Sequence, residues 1–195
     1  MGVLMHHGNP MIRLAAALGN PGNAYARTRH NLGEMVLLAY VKTYQVNWKT
    51  KFHSRYAKLP DTQLHMIIPN TFMNLCGKAV SAACSFFSVP PDELIILHDD
   101  LELPFGWAEV RKGGGLGGHN GLRSITGALG SRDFYRLRLG IGRPERGSVS
   151  SFVLSRFTPD EESLLDTYIT RGAALFASSI DEFIPPEQKK VWLLA

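Results

Sequence analysis

The chain has 195 residues, of which 45% are hydrophobic and 19% are charged. This length suits a single domain with one core, and this composition is typical of folded rather than disordered proteins. No apolar stretch reaches the roughly 18 residues that a membrane-spanning helix needs, and residues 1–10 lack a signal-peptide pattern. We therefore expect one domain over residues 1–195, with residues 1–10 as a flexible arm, in a cytoplasmic protein that does not contact membranes.

The net charge of +4 is unevenly distributed along the chain. Residues 105–146 contain eight arginines and lysines but only three acidic residues, which leaves the rest of the chain close to neutral. A basic region beside a glycine-rich loop is expected where a protein binds a phosphate-bearing partner such as nucleic acid. A solvated basic surface is the alternative interpretation.

Short apolar runs bounded by glycine, proline and asparagine alternate with longer segments of helical spacing, which predicts a mixed α/β domain. Strands are predicted at residues 12–18, 55–59, 64–68, 94–97, 107–111 and 135–141. Helices are predicted at residues 31–44, from residue 75 to just before Pro90, at residues 120–129, and from Pro159 onward. The last helix has the clearest start, because Thr158 can cap it, Pro159 suits its first position and Glu161 completes a capping box.

The second helix is expected to direct one apolar stripe toward the core. That stripe consists of Leu75, Ala79, Val80, Ala83 and Phe86. Cys76 and Cys84 lie eight positions apart on the same helix, which separates them by roughly 12 Å along its axis. No disulfide can bridge that distance, so both cysteines are expected to be free core residues.

Polar side chains cluster where predicted strands meet predicted helices. The turn at residues 19–22 contains Asn20, and His30 directly precedes the first helix. With an ordinary pKa of about 6.5, a histidine side chain is mostly uncharged at neutral pH and can take a proton from water. A structural role is the alternative, since an isolated histidine more often has one.

Two further polar clusters follow apolar strands. Asn74 lies in residues 69–74, and its uncharged amide can bind an ester or peptide carbonyl. Asp99 lies in residues 98–104, and its carboxylate can accept a hydrogen bond from an imidazole, fix the tautomer of the ring and stabilise its protonated form. The sequence alone does not show whether Asp99 reaches His30.

A glycine-rich loop at residues 113–121 separates a strand from the third helix. It contains a G-x-G-x-x-G pattern, but its place in mid-chain argues against a Rossmann nucleotide site. Such a loop lets a substrate approach the backbone closely, and Asn120 is then either the N-cap of the helix or a substrate ligand. The chain has no G-x-S-x-G or S-x-x-K motif, which favours general-base hydrolysis over a covalent serine mechanism.

Beside this loop, the alternation along residues 135–141 places Arg136 and Arg138 on one face of a strand. Together with Arg111 or Lys112, these side chains can grip a phosphate. The chain has no H-E-x-x-H and no paired C-x-x-C motif, and the tandem histidines at residues 6 and 7 fall in the expected arm. We therefore expect neither a metal ion nor a cofactor.

Taken together and in this order, the motifs resemble those of bacterial-type peptidyl-tRNA hydrolase. The matching residues are 19–22, Tyr25, 28–31, 69–74, 98–104 and 113–122, and the similarity covers nearly the whole chain from Met11. The resemblance implies a monomeric α/β domain in which helices flank a twisted mixed β-sheet. It also implies peptidyl-tRNA as the partner, and metal-independent hydrolysis of the ester that joins the peptidyl group to the terminal ribose of tRNA.

The resemblance further implies a role for individual residues. His30 corresponds to the catalytic base and Asp99 to the residue that orients it. Three asparagines correspond to substrate-binding residues, two further side chains line the same cleft, and two arginines resemble a clamp for the 5′ phosphate of tRNA. The three asparagines are Asn20, Asn74 and Asn120. The two further side chains are Tyr25 and Met73, and the two arginines are Arg111 and Arg138. Lysine is more common in the family at the position of Arg111, so Lys112 is a rival for the clamp.

The chain departs from the family pattern at Ala17, where glycine is frequent, and at Leu116, where histidine or alanine is frequent. Residues after about 180 follow no recognisable pattern. Two other functions stay open. One is an RNA-binding protein of this fold without catalysis, like the chloroplast factors that assist intron splicing, and the other is a nucleotide-dependent oxidoreductase.

Overall fold

The computed structural model describes residues 11–181 and 190–194, so the expected arm at residues 1–10 lies outside the described part of the chain. Eight strands occur in that part: β1 (Leu14–Ala17), β2 (Lys49–Lys51), β3 (Ser54–Lys58), β4 (His65–Pro69), β5 (Leu94–Asp100), β6 (Trp107–Lys112), β7 (Tyr135–Gly140) and β8 (Val191–Trp192). Five α-helices accompany them: α1 (Leu32–Val41), α2 (Cys76–Phe87), α3 (Asn120–Leu129), α4 (Val149–Val153) and α5 (Pro159–Asp181). Short 3₁₀ turns at Arg29–Asn31, Met73–Leu75 and Pro91–Glu93 precede α1, α2 and β5.

These strands form one mixed sheet in the order β2-β3-β4-β1-β5-β7-β6-β8. The central strands β4, β1, β5 and β7 are parallel, and antiparallel strands extend the sheet on both sides. The predicted fold class, an α/β domain with a mixed sheet flanked by helices, is therefore confirmed. Because parallel strands end at the same edge, the segments that follow β1, β4 and β5 are brought together there.

Helices cover both faces of the sheet, and each face has its own apolar core. On the side of α1 and α5, buried Tyr168 packs in the same cluster as Leu137, and its hydroxyl donates to the carbonyl of Gly140 at 3.0 Å. On the side of α2 and α3, Val80 and Ile125 pack in a second cluster. Among the residues described, no helix has the length and hydrophobicity that a membrane crossing requires.

The predicted elements are confirmed with small shifts at their ends. The third helix spans residues 120–129 as predicted, whereas α1 is shorter than predicted, because residue 31 belongs to a 3₁₀ turn and the helix already ends at Val41. The capping box of α5 is also confirmed. The backbone N–H of Thr158 donates to Glu161 Oε2 at 2.8 Å, and the N–H of Glu161 donates to Thr158 Oγ1 at 3.3 Å.

The predicted core stripe of α2 is wrong at both ends. Leu75 lies in the 3₁₀ turn before the helix and is 43% exposed, and Phe86 is 60% exposed. The stripe that α2 buries continues from Val80 and Ala83 at helical spacing to Phe87, which packs against the second core. Phe86 is one residue away from that stripe and therefore faces outward.

Three short elements were not predicted from the sequence. Strand β2 has three exposed residues and so shows no apolar alternation, α4 has five residues, and β8 has two. Both cysteines are buried and free, as predicted. Burial raises the pKa of Cys76 to about 12 and that of Cys84 to about 11, so both thiols stay protonated at neutral pH.

Helices α2 and α3 approach closely at one glycine. The backbone N–H of Gly77 donates to Ser124 Oγ at 2.9 Å, and a Cβ at residue 77 would overlap the carbonyl oxygen of Ser124. Asn74 lies in the 3₁₀ turn just before α2, and α3 begins at Asn120. The contact at Gly77 therefore fixes the two segments that carry these asparagines relative to each other.

Replacing Gly77 with alanine should lower the free energy of unfolding by about 1–3 kcal/mol, because the added methyl group must push two helices apart. Gly127→Ala is the matched control, since it also adds a methyl group to a helix, here α3, but nothing lies within 4 Å of its Cβ. The control should gain up to about 1 kcal/mol from helix propensity. Urea unfolding of both variants measures the difference, and equal stabilities would contradict the close-contact argument.

Candidate active site

A cleft of about 420 Å³ opens at the edge of the sheet where β1 and β5 end. It is lined by the 3₁₀ turn at residues 73–75, the glycine-rich loop, the start of α3 and the short helix α4. Every residue predicted to act in catalysis or substrate binding lies on its wall. These residues are Asn20, Tyr25, His30, Met73, Asn74, Asp99 and Asn120.

At the base of the cleft, His30 Nδ1 lies 2.8 Å from Asp99 Oδ1, and both side chains are buried. The 3₁₀ turn before α1 places the imidazole, and β5 places the carboxylate. Since an ionised carboxylate only accepts, Nδ1 carries the proton and Nε2 keeps a free electron pair. His30 is thus arranged as a base.

His119 is a site residue that the sequence did not single out. Its Nδ1 accepts from the backbone N–H groups of Gly121 (3.1 Å) and Leu122 (3.3 Å), so its Nε2 carries the proton. That Nε2 lies 3.1 Å from Asp99 Oδ1, the same oxygen that binds His30. His119 is also the N-cap of α3, so the proposed capping role of Asn120 is wrong. The side chain of Asn120 is exposed to the cleft instead.

The carboxylate of Asp99 remains ionised in this setting. Burial alone opposes its charge, but the nearby His30 and His119, through charge and hydrogen bonds, hold the pKa of Asp99 well below its ordinary value. An ionised carboxylate on Nδ1 stabilises the imidazolium that forms when Nε2 of His30 takes a proton.

The ligand atoms of His30, Asp99 and His119 all lie within 4.8 Å of one another, a spacing that a metal ion can use. The hydrogen bonds of His119 argue for a different assignment. Because its Nδ1 accepts from two backbone N–H groups, a metal on its Nε2 would require an imidazolate ring. The donor set fits a hydrogen-bonded acid–base cluster better than a metal site.

Asn20 is held by the residues around it. Its Oδ1 accepts from the backbone N–H of Met73 at 2.9 Å, and the side-chain amide of Asn31 bonds both the N–H and the C=O of Asn20 at 2.9 Å. With Oδ1 engaged, Asn20 presents its Nδ2 group as a donor. Asn31 belongs to the motif at residues 28–31, to which the resemblance assigns no role beyond His30, and the structure gives Asn31 this supporting one.

The apolar side of the cleft has two parts. Tyr25 and Phe72 meet edge to face, with ring centroids 6.5 Å apart, and Met73 is packed against the start of α3. The second part is α4, which contributes Val149 and Val153. Sequence patterns did not indicate these residues because the helix is too short to show periodicity.

Arg29 ties α4 to the turn that carries His30. Its Nη1 donates to Ser155 Oγ at 2.8 Å and to the carbonyl of Arg156, and its Nη2 pairs with Glu161 at 2.5 Å. The guanidinium also lies 4.3 Å from the ring centroid of Phe152, within α4. This buried residue therefore fixes the α4 wall relative to the imidazole.

Neither Arg111 nor Arg138 lines the cleft. Arg136 and Arg138 share a strand face as predicted, but both are buried. Arg138 Nε donates to Asp100 Oδ2 at 2.7 Å and its Nη1 pairs with Glu109, so its charge is already matched by two carboxylates. These surroundings do not support a phosphate contact by Arg138.

Arg136 holds the glycine-rich loop rather than a ligand, since its guanidinium donates to the carbonyls of Gly113 and Gly115. Burial and the neighbouring charge of Arg138 lower the pKa of Arg136 to about 10. The exposed cations beside this loop are Lys112, Arg123 and Arg132, with Arg111 half-buried.

A family model described as peptidyl-tRNA hydrolase matches residues 14–191. The chain belongs to the peptidyl-tRNA hydrolase family. A peptidyl-tRNA hydrolase from Histophilus somni (strain 2336) is 43% identical over 161 residues, which cover 80% of this chain and 83% of the relative. One from Vibrio vulnificus (strain YJ016) is 43% identical over 186 residues, covering 92% and 95%. The crystal structure of peptidyl-tRNA hydrolase from Acinetobacter baumannii superposes with a TM-score of 0.81 at 33% identity, covering 90% and 91%.

A second buried histidine, His98, also lines the cleft of this family member. Its Nδ1 donates to the carbonyl of Asp99 at 2.7 Å, and its Nε2 has no hydrogen-bond partner within the described residues. Burial, followed by the proximity of His119, lowers the pKa of His98 to about 3. His98 is thus neutral at physiological pH and is not a proton carrier in the site.

This pKa has a consequence for stability. Between about pH 6.5 and pH 3 the unfolded chain protonates His98 and the folded chain does not, so folding weakens as pH falls, by roughly tenfold in the unfolding equilibrium per pH unit. In His98→Asn this dependence should become shallower by one proton. Urea unfolding at several pH values between 4.5 and 6.5 measures the slope, and an unchanged slope would show that His98 titrates normally in the fold.

Proposed function

We propose that the chain hydrolyses the ester bond between the peptidyl group and the terminal ribose of peptidyl-tRNA, with His30 as general base, and so recycles tRNA from prematurely released peptidyl-tRNA. Membership of the peptidyl-tRNA hydrolase family supports the reaction. The observation that supports the mechanism is the bond from His30 Nδ1 to the ionised Asp99, which leaves the basic Nε2 of the ring available in a cleft with three asparagines.

In the proposed mechanism, Nε2 of His30 accepts a proton from a water molecule as the water oxygen attacks the ester carbonyl. The carbonyl electrons move onto oxygen to give a tetrahedral oxyanion, and Asp99 stabilises the imidazolium. When the oxyanion collapses, the bond to the ribose oxygen breaks and the imidazolium returns its proton to that oxygen. The products are a free peptide acid and tRNA with an intact terminal hydroxyl.

The asparagines supply donors without charge. Asn20 Nδ2 is oriented by the bond from Met73 to its Oδ1, and we assign it to the water or the peptide. Asn74 and Asn120 are exposed to the cleft on segments held together by the α2–α3 contact, and either is suited to donate to the oxyanion. Tyr25, Met73 and the α4 wall then enclose the apolar part of the peptidyl group.

For the RNA, we assign the phosphate contacts near the glycine-rich loop to Arg111 and Lys112. Arg138 does not contact phosphate in this assignment; it pairs with Asp100 and Glu109 and offsets part of their negative charge near the loop. We also propose that the protein acts as a monomer. We place the activity in the cytoplasm, where translation produces the substrate.

Replacing His30 with alanine removes the base, so kcat on an N-acylated aminoacyl-tRNA should fall by about 10²–10⁴-fold. Binding of deacylated tRNA should stay within a factor of three, since His30 is buried in the cleft. Turnover at the wild-type rate would contradict the base assignment. A wild-type chain that binds tRNA without hydrolysing the ester would support the splicing-factor-like alternative.

Asp99→Asn tests the role of the buried charge. The amide keeps the size of the side chain but no longer stabilises an imidazolium, so kcat should fall by about 10²–10⁴-fold. Asp133→Asn, at an exposed position outside the cleft, is the control and should retain full activity. Steady-state kinetics of both variants decide the question, and a threefold effect or less at Asp99 would exclude electrostatic stabilisation of His30.

A further inference from the structure

A second basic surface lies at the opposite edge of the sheet from β6 and β7. Residues 46–58 contain four lysines and arginines and no acidic residue. Three of them, Lys49, Lys51 and Lys58, are exposed. The fourth, Arg55, pairs with Glu34 and is therefore neutralised. We call the three lysines, together with Phe52 and Phe86, the lysine–aromatic face.

Strand register places these lysines on one side of the sheet. Lys49 lies opposite Tyr56, Lys51 opposite Ser54, and Lys58 opposite His65. Residues directly opposite each other, and residues two apart on a strand, point to the same face. That face is the one covered by α2, because Tyr56 and His65 stack on Phe87 of that helix.

Two aromatic rings, the exposed Phe86 and the half-buried Phe52, adjoin Lys51. Lys51 Nζ lies 3.6 Å from the ring centroid of Phe86 and 4.8 Å from that of Phe52. The two rings are 5.2 Å apart, and Phe86 is 60% exposed. A phenylalanine this exposed, held against other rings, offers a rigid flat surface to a ligand.

The local charge is positive. Burial, and then the positive charges of Lys58 and Arg13, lower the pKa of His65 on the same face. The nearby carboxylate of Glu93 pairs with Arg13 at 2.7 Å. The three lysines therefore face solvent without a carboxylate partner among the ion pairs found in residues 11–181 and 190–194.

Protection of the sheet edge explains only part of this pattern. Lysines on the edge strand β2 discourage pairing with another chain. Edge protection also applies to Lys58, because β2 pairs only with residues 54–56 of β3, but it does not explain the exposure of Phe86. Cations interleaved with exposed aromatic rings are typical of surfaces that bind nucleic acid, where phosphates pair with the cations and bases stack on the rings.

The face is also connected to the cleft. The backbone N–H of Asn70 donates to the carbonyl of His53 at 2.8 Å, and Phe72, Met73 and Asn74 of the cleft follow directly. Strand β2 is three strands away from β1, or roughly 14 Å at the usual strand spacing. An RNA whose 3′ end lies in the cleft can therefore extend to this face.

We propose that the lysine–aromatic face is a second RNA-binding surface, where Lys49, Lys51 and Lys58 contact phosphates of the tRNA and Phe86 stacks on an exposed base. This inference rests on the proposed function, because tRNA is the RNA that the cleft positions beside the face.

The test is binding of deacylated tRNA at a series of salt concentrations. For Lys49→Gln/Lys51→Gln/Lys58→Gln, Kd should rise by about tenfold at low salt, and the slope of log Kd against log salt should fall by about two. Phe86→Ala should weaken binding without changing the slope. The Kd of the single variant Lys51→Gln is compared with that of Lys42→Gln. The control removes one exposed charge on the α1 side of the sheet and should leave Kd unchanged.

Turnover of a minimal ester, an N-acylated aminoacyl group on a short CCA oligonucleotide, should be unchanged in all these variants. If wild-type protein fails to hydrolyse that ester, the proposed function fails while the binding test stays readable. If the triple variant binds both tRNA and an acceptor-stem minihelix more weakly, the result supports contact between the face and the stem. If it binds only tRNA more weakly, the result supports contact with RNA beyond the stem. Unchanged Kd and slope in the triple variant would overturn the proposal. So would an effect seen only with an acidic peptidyl group, which would assign the face to peptide.

Discussion

The buried carboxylate of Asp99 is the interaction on which the rest of the site depends. A charge out of contact with water is strongly unfavourable unless other groups compensate it, and here two imidazole N–H groups converge on a single oxygen. Each imidazole belongs to a different element: one to the turn before α1, the other to the start of α3. Compensation of one charge therefore brings three parts of the sheet edge together. The same geometry leaves Nε2 of His30 with a free electron pair, as the proposed base requires.

Neutral donors line the same cleft, and contacts within the fold hold their segments in place. The tight contact at Gly77 sets the distance between the two exposed asparagines, and the amide of Asn31 clamps the backbone of Asn20. Donors fixed in advance need no reorganisation when charge develops on a substrate oxygen. In this site, the same few contacts determine both how the helices pack and where the proposed catalytic groups lie.

Much of the fold was predictable because the central strands are short apolar runs and the last helix has a clear cap at Thr158. The pairing of His30 with Asp99 was not derivable from spacing, since 69 residues separate them. It came from the resemblance to a family. Arg138 shows a different limit, because alternation along a strand predicts a shared face but not the carboxylates that cover it. His119 was not predicted for a related reason. Its position before a helix suggests only a cap, and the fold is needed to show that its Nε2 reaches Asp99 while its Nδ1 caps the helix.

Arg29 has a consequence for ligand design. Its guanidinium joins the short apolar helix on one side of the cleft to the residue next to the base. A compound that wedges against Val149 cannot displace that wall without straining the turn that orients His30. We therefore expect that an inhibitor of this enzyme need not contact the imidazole, because displacing the α4 wall would also displace His30 through the buried side chain of Arg29.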